Sequence, residues 1–480
     1  MEVKTLVKDF LHFEENTDVF KYSIEEIPVW DFVRYEVFYQ LLYALCKQDS
    51  ALAENKLTKL FKFVVKVYNI GLMSGLFIKR GFFRNKKKYD LLVFNEARKF
   101  LIENKRRNSS CFYPIRQLAK DYKVLSLEPS PLYKRYGRNY PCDVQYNGLD
   151  DKIIRLQAKF SRLCEPDLNV INQICQDVKL SFNVDVRITD KFLYHLNQYK
   201  YYVKFFMRHQ PKVILFADNG NRKGILLAAR NLDIPTIELQ HSVLSDMNIT
   251  YKYPDDILKH HIEKCALPTY LFTWGEAWHS TVSRICHPIA IGNPYFEAEL
   301  CRILNTKCEK NLRQILIIGI TFSKDLLVKA ALELSEQLPD FTIVYKLRAE
   351  DMRDWQNRYP KAFSTRKNIR VICSLSPSLY DLFAESCYMV GVNSTALIEG
   401  VMFGLKTFLL KDGFSDEMKI LVDHNLATCM ESLTEVITAI RNSLDPGPSL
   451  EDCRVLFKEN SSENLRQEVG KIMHSRELRG

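Results

Sequence analysis

The sequence predicts an α/β protein: two successive doubly wound domains facing a cleft, preceded by a helical N-terminal region. Three observations carry this expectation. From Tyr89 onward, short apolar strands alternate with amphipathic helices, which implies right-handed crossovers in a parallel sheet. The alternation runs twice, interrupted by a polar link near 300–312. The stretch VGVNSTALIEGVMFGLKTFLL, from Val390 to Leu410, then reads as strand, polar turn, helix and strand. Polar residues at the carboxyl end of a parallel strand lie where such sheets gather ligands.

Size and composition agree. A chain of 480 residues can bury two or three cores, and 46% hydrophobic with 26% charged residues is ordinary globular usage. No apolar run reaches 18 residues, so no transmembrane helix is expected. The start, MEVKTLVKDFLHFEEN, is interrupted by acids before any secretory core could form. Thirteen cysteines without CxxC pairs or zinc-like spacing point to reduced thiols and a cytoplasmic location.

The net charge of +10 is concentrated. Lys56 to Arg107 carries fifteen Lys or Arg against Asp90, Glu96 and Glu103. Leu57, Leu60, Phe61, Val64 and Tyr68 sort opposite Lys56, Lys59, Lys62 and Lys66 on a helix. Such a helix suits an anionic membrane surface, here the inner face of the cytoplasmic membrane; it equally suits a packed surface helix with solvated lysines. Aromatic–basic interleaving and any recognisable binding module are missing, so nucleic acid is not an expected partner.

In chain order, residues 1–85 read as helical, with Phe32, Val33, Val37, Phe38, Leu41 and Leu42 at helical spacing. Residues 86–305 form the first α/β domain. Its strands are expected near 90–94, 122–127, 213–217, 236–240, 270–275 and 289–292, with long helices over 152–207 and a loop over 128–150. Residues 306–445 form the second, with strands near 314–319, 342–346, 369–372, 388–392 and 407–410. Residues 446–480 read as terminal helices.

Several side chains stand at strand ends, where the cleft is expected. On the second domain, Asn393, Ser394 and Thr395 open a helix, with Glu399 one turn in. Unpartnered backbone N–H groups and the helix dipole favour an anion there, and the same residue types are ordinary N-caps. Ser323, Lys346 and Arg348 end neighbouring strands; Arg can grip a phosphate bidentately. On the first domain, His241 ends a strand, as do Glu96 with Arg98, and Asp218, Asn219 and Asn221 around Gly220. The asparagines suit sugar hydroxyls or the strand-to-helix turn itself.

Four motifs in order resemble the glycosyltransferases of bacterial capsule and lipopolysaccharide assembly that have the GT-B fold, two Rossmann-like domains. These are Gln240-His241-Ser242, Pro268 to Gly275 (PTYLFTWG), Ile291-Gly292-Asn293-Pro294, and Asn393-Ser394-Thr395 with Glu399. The resemblance covers roughly residues 210–412, and residues 27–42 (IPVWDFVRYEVFYQLL) are similar to an amino-terminal element of some surface-polysaccharide transferases. Ser242 stands where many relatives have Gly, and Leu347-Arg348 where relatives often have His-Pro.

The resemblance implies a nucleotide-activated sugar as donor and a glycan or lipid-linked acceptor. It places the first domain on the acceptor and the second on the donor, with Asn393, Ser394, Thr395 and Glu399 on phosphate and ribose. Ser323, Lys346 and Arg348 are further donor candidates; Arg98, Asp218, Asn219 and Asn221 are acceptor candidates. His241 is the first choice for a direct role, as base or donor ligand, and Glu96 the second. No DxD-like pair ends a strand, so no metal or other cofactor is expected. The alternatives are a CDP-polyol phosphotransferase, a sugar-nucleotide epimerase and a non-catalytic assembly scaffold.

Overall fold

A computed structural model describes residues 3–45, 87–95, 100–102, 106–108, 112–128, 142–306, 309–320, 323–348, 351–352, 354–442 and 447–477. Among them, seven parallel strands form the first sheet: β1 (Leu91–Phe94), β2 (Val124–Glu128), β3 (Asp143–Tyr146), β4 (Val213–Phe216), β5 (Thr236–Leu239), β6 (Tyr270–Thr273) and β7 (His287–Ala290). The second sheet holds β8 (Asn311–Ile318), β9 (Thr342–Lys346), β10 (Ile369–Ile372), β11 (Ser386–Gly391), β12 (Lys406–Leu410) and β13 (Ala427–Met430). The spatial orders are 3-2-1-4-5-6-7 and 10-9-8-11-12-13. Each is doubly wound and reverses direction once, between β1 and β4 and between β8 and β11. The predicted two-domain α/β class is therefore the observed one.

The central strands are buried along their length because helices cover both sheet faces. Their Val, Ile, Leu and Phe runs made them visible in sequence. Within the two parallel sheets, two strands are not anticipated by the sequence pattern. The segment taken as a loop over 128–150 contains β3, an edge strand of sequence DVQY, and β13 (ATCM) closes the other sheet's edge with its middle residues exposed. Edge strands bury less side chain, so their apolar signal is weaker.

The terminal segments are built into the domains. Helix Val29–Leu45 begins at Val29, after Ile27–Pro28 pairs with Ser23–Ile24 in a short hairpin. It packs, with helix Val3–Asn16, into the same core as the long helices Glu165–Phe182 and Thr189–His209. The predicted basic helix around residues 56–68 lies outside the described residues, as does most of the 56–107 window. No described helix is long and apolar enough to cross a membrane.

The C-terminal segment leaves the second domain and returns to the first. Cys453 is buried against the carbonyl of Val401, whereas Leu465, Val469, Ile472 and Met473 of helix Ser461–Glu477 pack beneath the first sheet. Between them, Lys458 donates its backbone N–H to Trp274 (2.7 Å), and the Trp278 indole donates to the Leu456 carbonyl (3.0 Å). Phe457 stacks on Trp274 and Phe296, at 5.4 and 4.6 Å between centroids.

This crossing explains Ile291-Gly292-Asn293-Pro294 locally. Gly292 has φ +87°, and a Cβ there would lie 2.2 Å from the Lys458 carbonyl oxygen. Asn293 accepts from the N–H groups of Tyr295 and Phe296 as N-cap, and Pro294 begins helix Pro294–Leu304. Gly292→Ala is accordingly expected to destabilise the protein by about 2 kcal/mol or more. Hydrogen exchange should show the loss first as faster exchange across residues 456–477; wild-type protection there would contradict this account.

Candidate functional site

The carboxyl ends of the two sheets face each other across a cleft with two adjoining chambers. One, of about 360 Å³, is walled by Gln240, His241, Trp274, Asn293, Thr395 and Glu399. The other, of about 370 Å³, is walled by His241, Asp218, Tyr35, Arg348, Asn393 and Thr395, among others. His241 and Thr395 belong to both. They stand about 150 residues apart in sequence, yet together they form the partition of a single crevice.

On the first domain, Gln240 sets the turn that carries His241. Its amide donates to the Ser242 carbonyl (3.1 Å) and its side-chain oxygen accepts the Trp274 N–H (2.8 Å), while the Trp274 indole donates to the Gln240 carbonyl (3.0 Å). The ends of β5 and β6 are thereby pinned together, leaving His241 half-buried at the chamber wall. One residue pair upstream, the buried Glu238 accepts from Tyr251 Oη and Asn219 Nδ2, both at 2.8 Å. Burial pushes its carboxyl up to about 7 against the hydrogen bonds, which pull it down. Glu238 thus braces the loop after His241 against the turn after β4.

Of the acceptor candidates, Asn219 is fully buried, donates its amide to Glu238 and borders neither chamber. Asn221 lies on the surface and accepts from Lys191 Nζ (2.8 Å), away from both chambers. Asp218 does line the second chamber; its carboxylate also accepts the Gly220 N–H (3.0 Å). Glu96 and Arg98 lie outside the described residues.

On the second domain, Asn393, Ser394 and Thr395 follow β11 at the point where strand order reverses. Ser394 Oγ accepts the Ala396 N–H (3.3 Å), so it caps helix Thr395–Val401 and borders the second chamber as well. Asn393 borders the second chamber, is buried and donates to Glu417 (3.1 Å); its buried side-chain oxygen has no hydrogen-bond partner among the described residues. Glu399 lines the first chamber, accepts from Tyr380 Oη (3.1 Å), and is raised to about 7 by burial.

The other cationic and hydroxyl candidates divide. Arg348 is exposed and lines the second chamber. Lys346 instead donates to the Ser374 carbonyl (2.6 Å), and Ser323 donates to Asp412. Neither borders the two chambers, because Lys346 turns toward the β10 side and Ser323 is buried.

Sequence reasoning read Asn293 only as part of a motif and assigned no role to Glu238, Tyr251, Tyr295 or Tyr380, which shape the cleft through contacts made only in three dimensions. A glutamate inside the buried strand TIEL was the one available signal, since an ionisable side chain there needs partners. Among the described residues, no three His, Cys, Asp or Glu side chains gather as a metal-ligand set. A larger cavity, about 810 Å³, opens beside Arg230, Pro235, Thr269 and Arg284. It lies at the amino ends of β5 and β6, opposite to where parallel sheets bind ligands, and none of the polar turns reaches it.

No protein-family model matches the chain, and no curated protein sequence does. Solved structures do resemble it in shape. The UDP-GlcNAc 2-epimerase of Methanocaldococcus jannaschii is 12% identical, with 79% of this chain and 99% of that one covered at a TM-score of 0.49. MurG of Acinetobacter baumannii is 13% identical, covering 81% and 98% with a TM-score of 0.41. Arabidopsis thaliana UGT89C1, solved with quercetin, is 14% identical, covering 81% and 100% with a TM-score of 0.46.

Proposed function

We propose that this protein is a metal-independent glycosyltransferase, moving a sugar from a nucleotide-activated donor to a growing bacterial surface glycan or lipid-linked acceptor. The observation that carries the reading is the shared wall: His241 from one domain and Thr395 from the other border both chambers of one cleft. In the proposed step, the acceptor oxygen attacks the anomeric carbon and its proton passes to His241. The bond from that carbon to the nucleotide phosphate breaks, and the departing phosphate takes the electron pair. Arg348 and the turn Asn393-Ser394-Thr395 face the growing negative charge. Asn393 meets the donor from the same turn, and Glu399 accepts from the ribose.

The membrane-surface role of the 56–107 window belongs to the same proposal and draws on its charge alone. The cheapest test of the whole is nucleotide-induced thermal stabilisation, since a ligand held only by the folded state raises stability by about 2.7 kcal/mol at a hundredfold excess over Kd. UDP, GDP or CDP is expected to raise Tm and to identify the base. Selective stabilisation by CMP, the nucleotide left when a polyol phosphate departs from a CDP-activated donor, would favour polyol-phosphate transfer. Silence toward every nucleotide would favour a scaffold and end the enzyme reading.

The pH dependence of that binding follows from Glu399. Only the ionised carboxylate accepts from both ribose hydroxyls, so nucleotide affinity should strengthen as pH rises through about 7. Tyr380 favours the charged form through its hydrogen bond; Tyr380→Phe should therefore move the midpoint upward, and Glu399→Gln should flatten the profile. Titration calorimetry between pH 5.5 and 8.5, a window set by the about-7 value, checks this. A wild-type profile without slope would contradict it. Folding stability runs the other way: Glu399 and Glu238 keep a proton in the folded state that the unfolded chain releases above the ordinary 4.5, so each erodes stability as pH climbs toward 7.

A further inference from the structure

Helix Val29–Leu45 lies outside both sheets, yet it supplies one wall of the second chamber through Tyr35, Phe38, Tyr39 and Leu42. Phe38 and Leu42 are buried in the core, whereas Tyr35 and Tyr39 stay half-open. Their rings meet at 4.6 Å between centroids, inclined at 47°. The Tyr35 ring also flanks the turn after β4: a Cβ on Gly220 would lie 3.4 Å from it and 3.4 Å from the Asp218 carboxylate. An aromatic pair, a carboxylate and His241 therefore converge on one space.

The helix is held as a fixed wall. Within it, Asp31 accepts from Lys223 Nζ (2.9 Å) and the Ala266 N–H (2.7 Å). Arg34 pairs with Glu14 and donates to the carbonyls of Ile249 and Lys252, at the base of the loop that carries Asn248 and Thr250 into the same chamber. Such buried pairs add little net stability but fix geometry when fully hydrogen-bonded. Binding sites are built on elements restrained in this way.

We infer that Tyr35 and Tyr39 form the platform for a pyranose ring of the acceptor, with Asp218 and Asn248 receiving its hydroxyls; this rests on the transferase reading above. Electron-rich ring faces attract the C–H face of a sugar, and pockets that pair aromatic lining with a few polar groups suit such a ligand. The polar side of the chamber selects against a hydrocarbon chain, which would take the Asp218 carboxylate and the Asn248 amide out of water with one backbone N–H each, of Gly220 and Thr250, as compensation. The chamber's volume of about 370 Å³ also falls at the small end of the range for compact ligands.

The full chain can be tested on a printed array of hexose, N-acetylhexosamine and uronic-acid oligosaccharides, alongside thermal shift with nucleotides. Wild type should capture at least one class; Tyr39→Ala should weaken that capture at least about tenfold, and Tyr39→Phe should retain most of it. Both variants should keep the wild-type Tm and nucleotide response, which excludes misfolding as the cause. Capture that survives Tyr39→Ala, or no capture by wild type, would overturn the assignment. Tyr39-dependent capture without any nucleotide response would uphold this site and sink the transferase reading, so the two fail separately.

Discussion

Replacing His241 by alanine is expected to lower the rate of sugar transfer by about 10²- to 10⁴-fold, the usual weight of a positioned acid–base group. The fold should survive the change. The bonds that pin the ends of β5 and β6 run through Gln240 and Trp274, by side-chain amide, indole and backbone, and none uses the His241 ring. The nucleotide response should also survive, because Arg348, Asn393 and Glu399 stand on the opposite domain. Turnover with a nucleotide sugar and thermal shift with the free nucleotide separate the two quantities. A variant that transfers sugar at the wild-type rate would remove His241 from the chemistry, whatever its place in the cleft.

The largest effect on stability is expected from Arg34→Met. Arg34 Nε and Nη2 bind the two oxygens of Glu14 at 2.5 and 2.9 Å, and the guanidinium lies 4.2 Å from the Tyr253 ring centroid. Burial already pushes the Glu14 carboxyl up, with Arg34 the main opposing influence. Removing the cation strands that carboxyl and the carbonyls of Ile249 and Lys252, at a cost of about 3–5 kcal/mol. A urea midpoint lowered to match would confirm it. The double variant Glu14→Leu, Arg34→Met should recover a large part of the loss, since no buried charge is left alone. An unchanged midpoint in the single variant would mean that the N-terminal helices are not part of the first domain's core.

Legibility in the sequence tracked burial. Leu91–Phe94, Val213–Phe216 and Tyr388–Val390 announced themselves as apolar runs because parallel strands are covered on both faces. β3 and β13 did not, being edge strands with polar or exposed positions. The same logic sorts the site. Asn219 and Asp218 are adjacent and equally polar, yet one is sealed against Glu238 and the other opens to the chamber. Lys346 and Arg348 are two residues apart and equally basic, but only Arg348 borders the cleft. Composition cannot distinguish them; the direction of each side chain does.

By itself, the sequence determined the two parallel sheets and the polar turns at their carboxyl ends, His241 and Asn393-Ser394-Thr395 included. Those are properties of hydrophobic periodicity and local turn chemistry, written within a dozen residues. Tertiary structure alone decided that the turns share a crevice, that the C-terminal segment crosses back over Gly275 and Gly292, and that an N-terminal helix walls one chamber. Each depends on contacts between segments more than 150 residues apart, such as Trp274 with Lys458 and Arg34 with Lys252. Packing against a distant partner leaves no periodic mark on either partner's sequence.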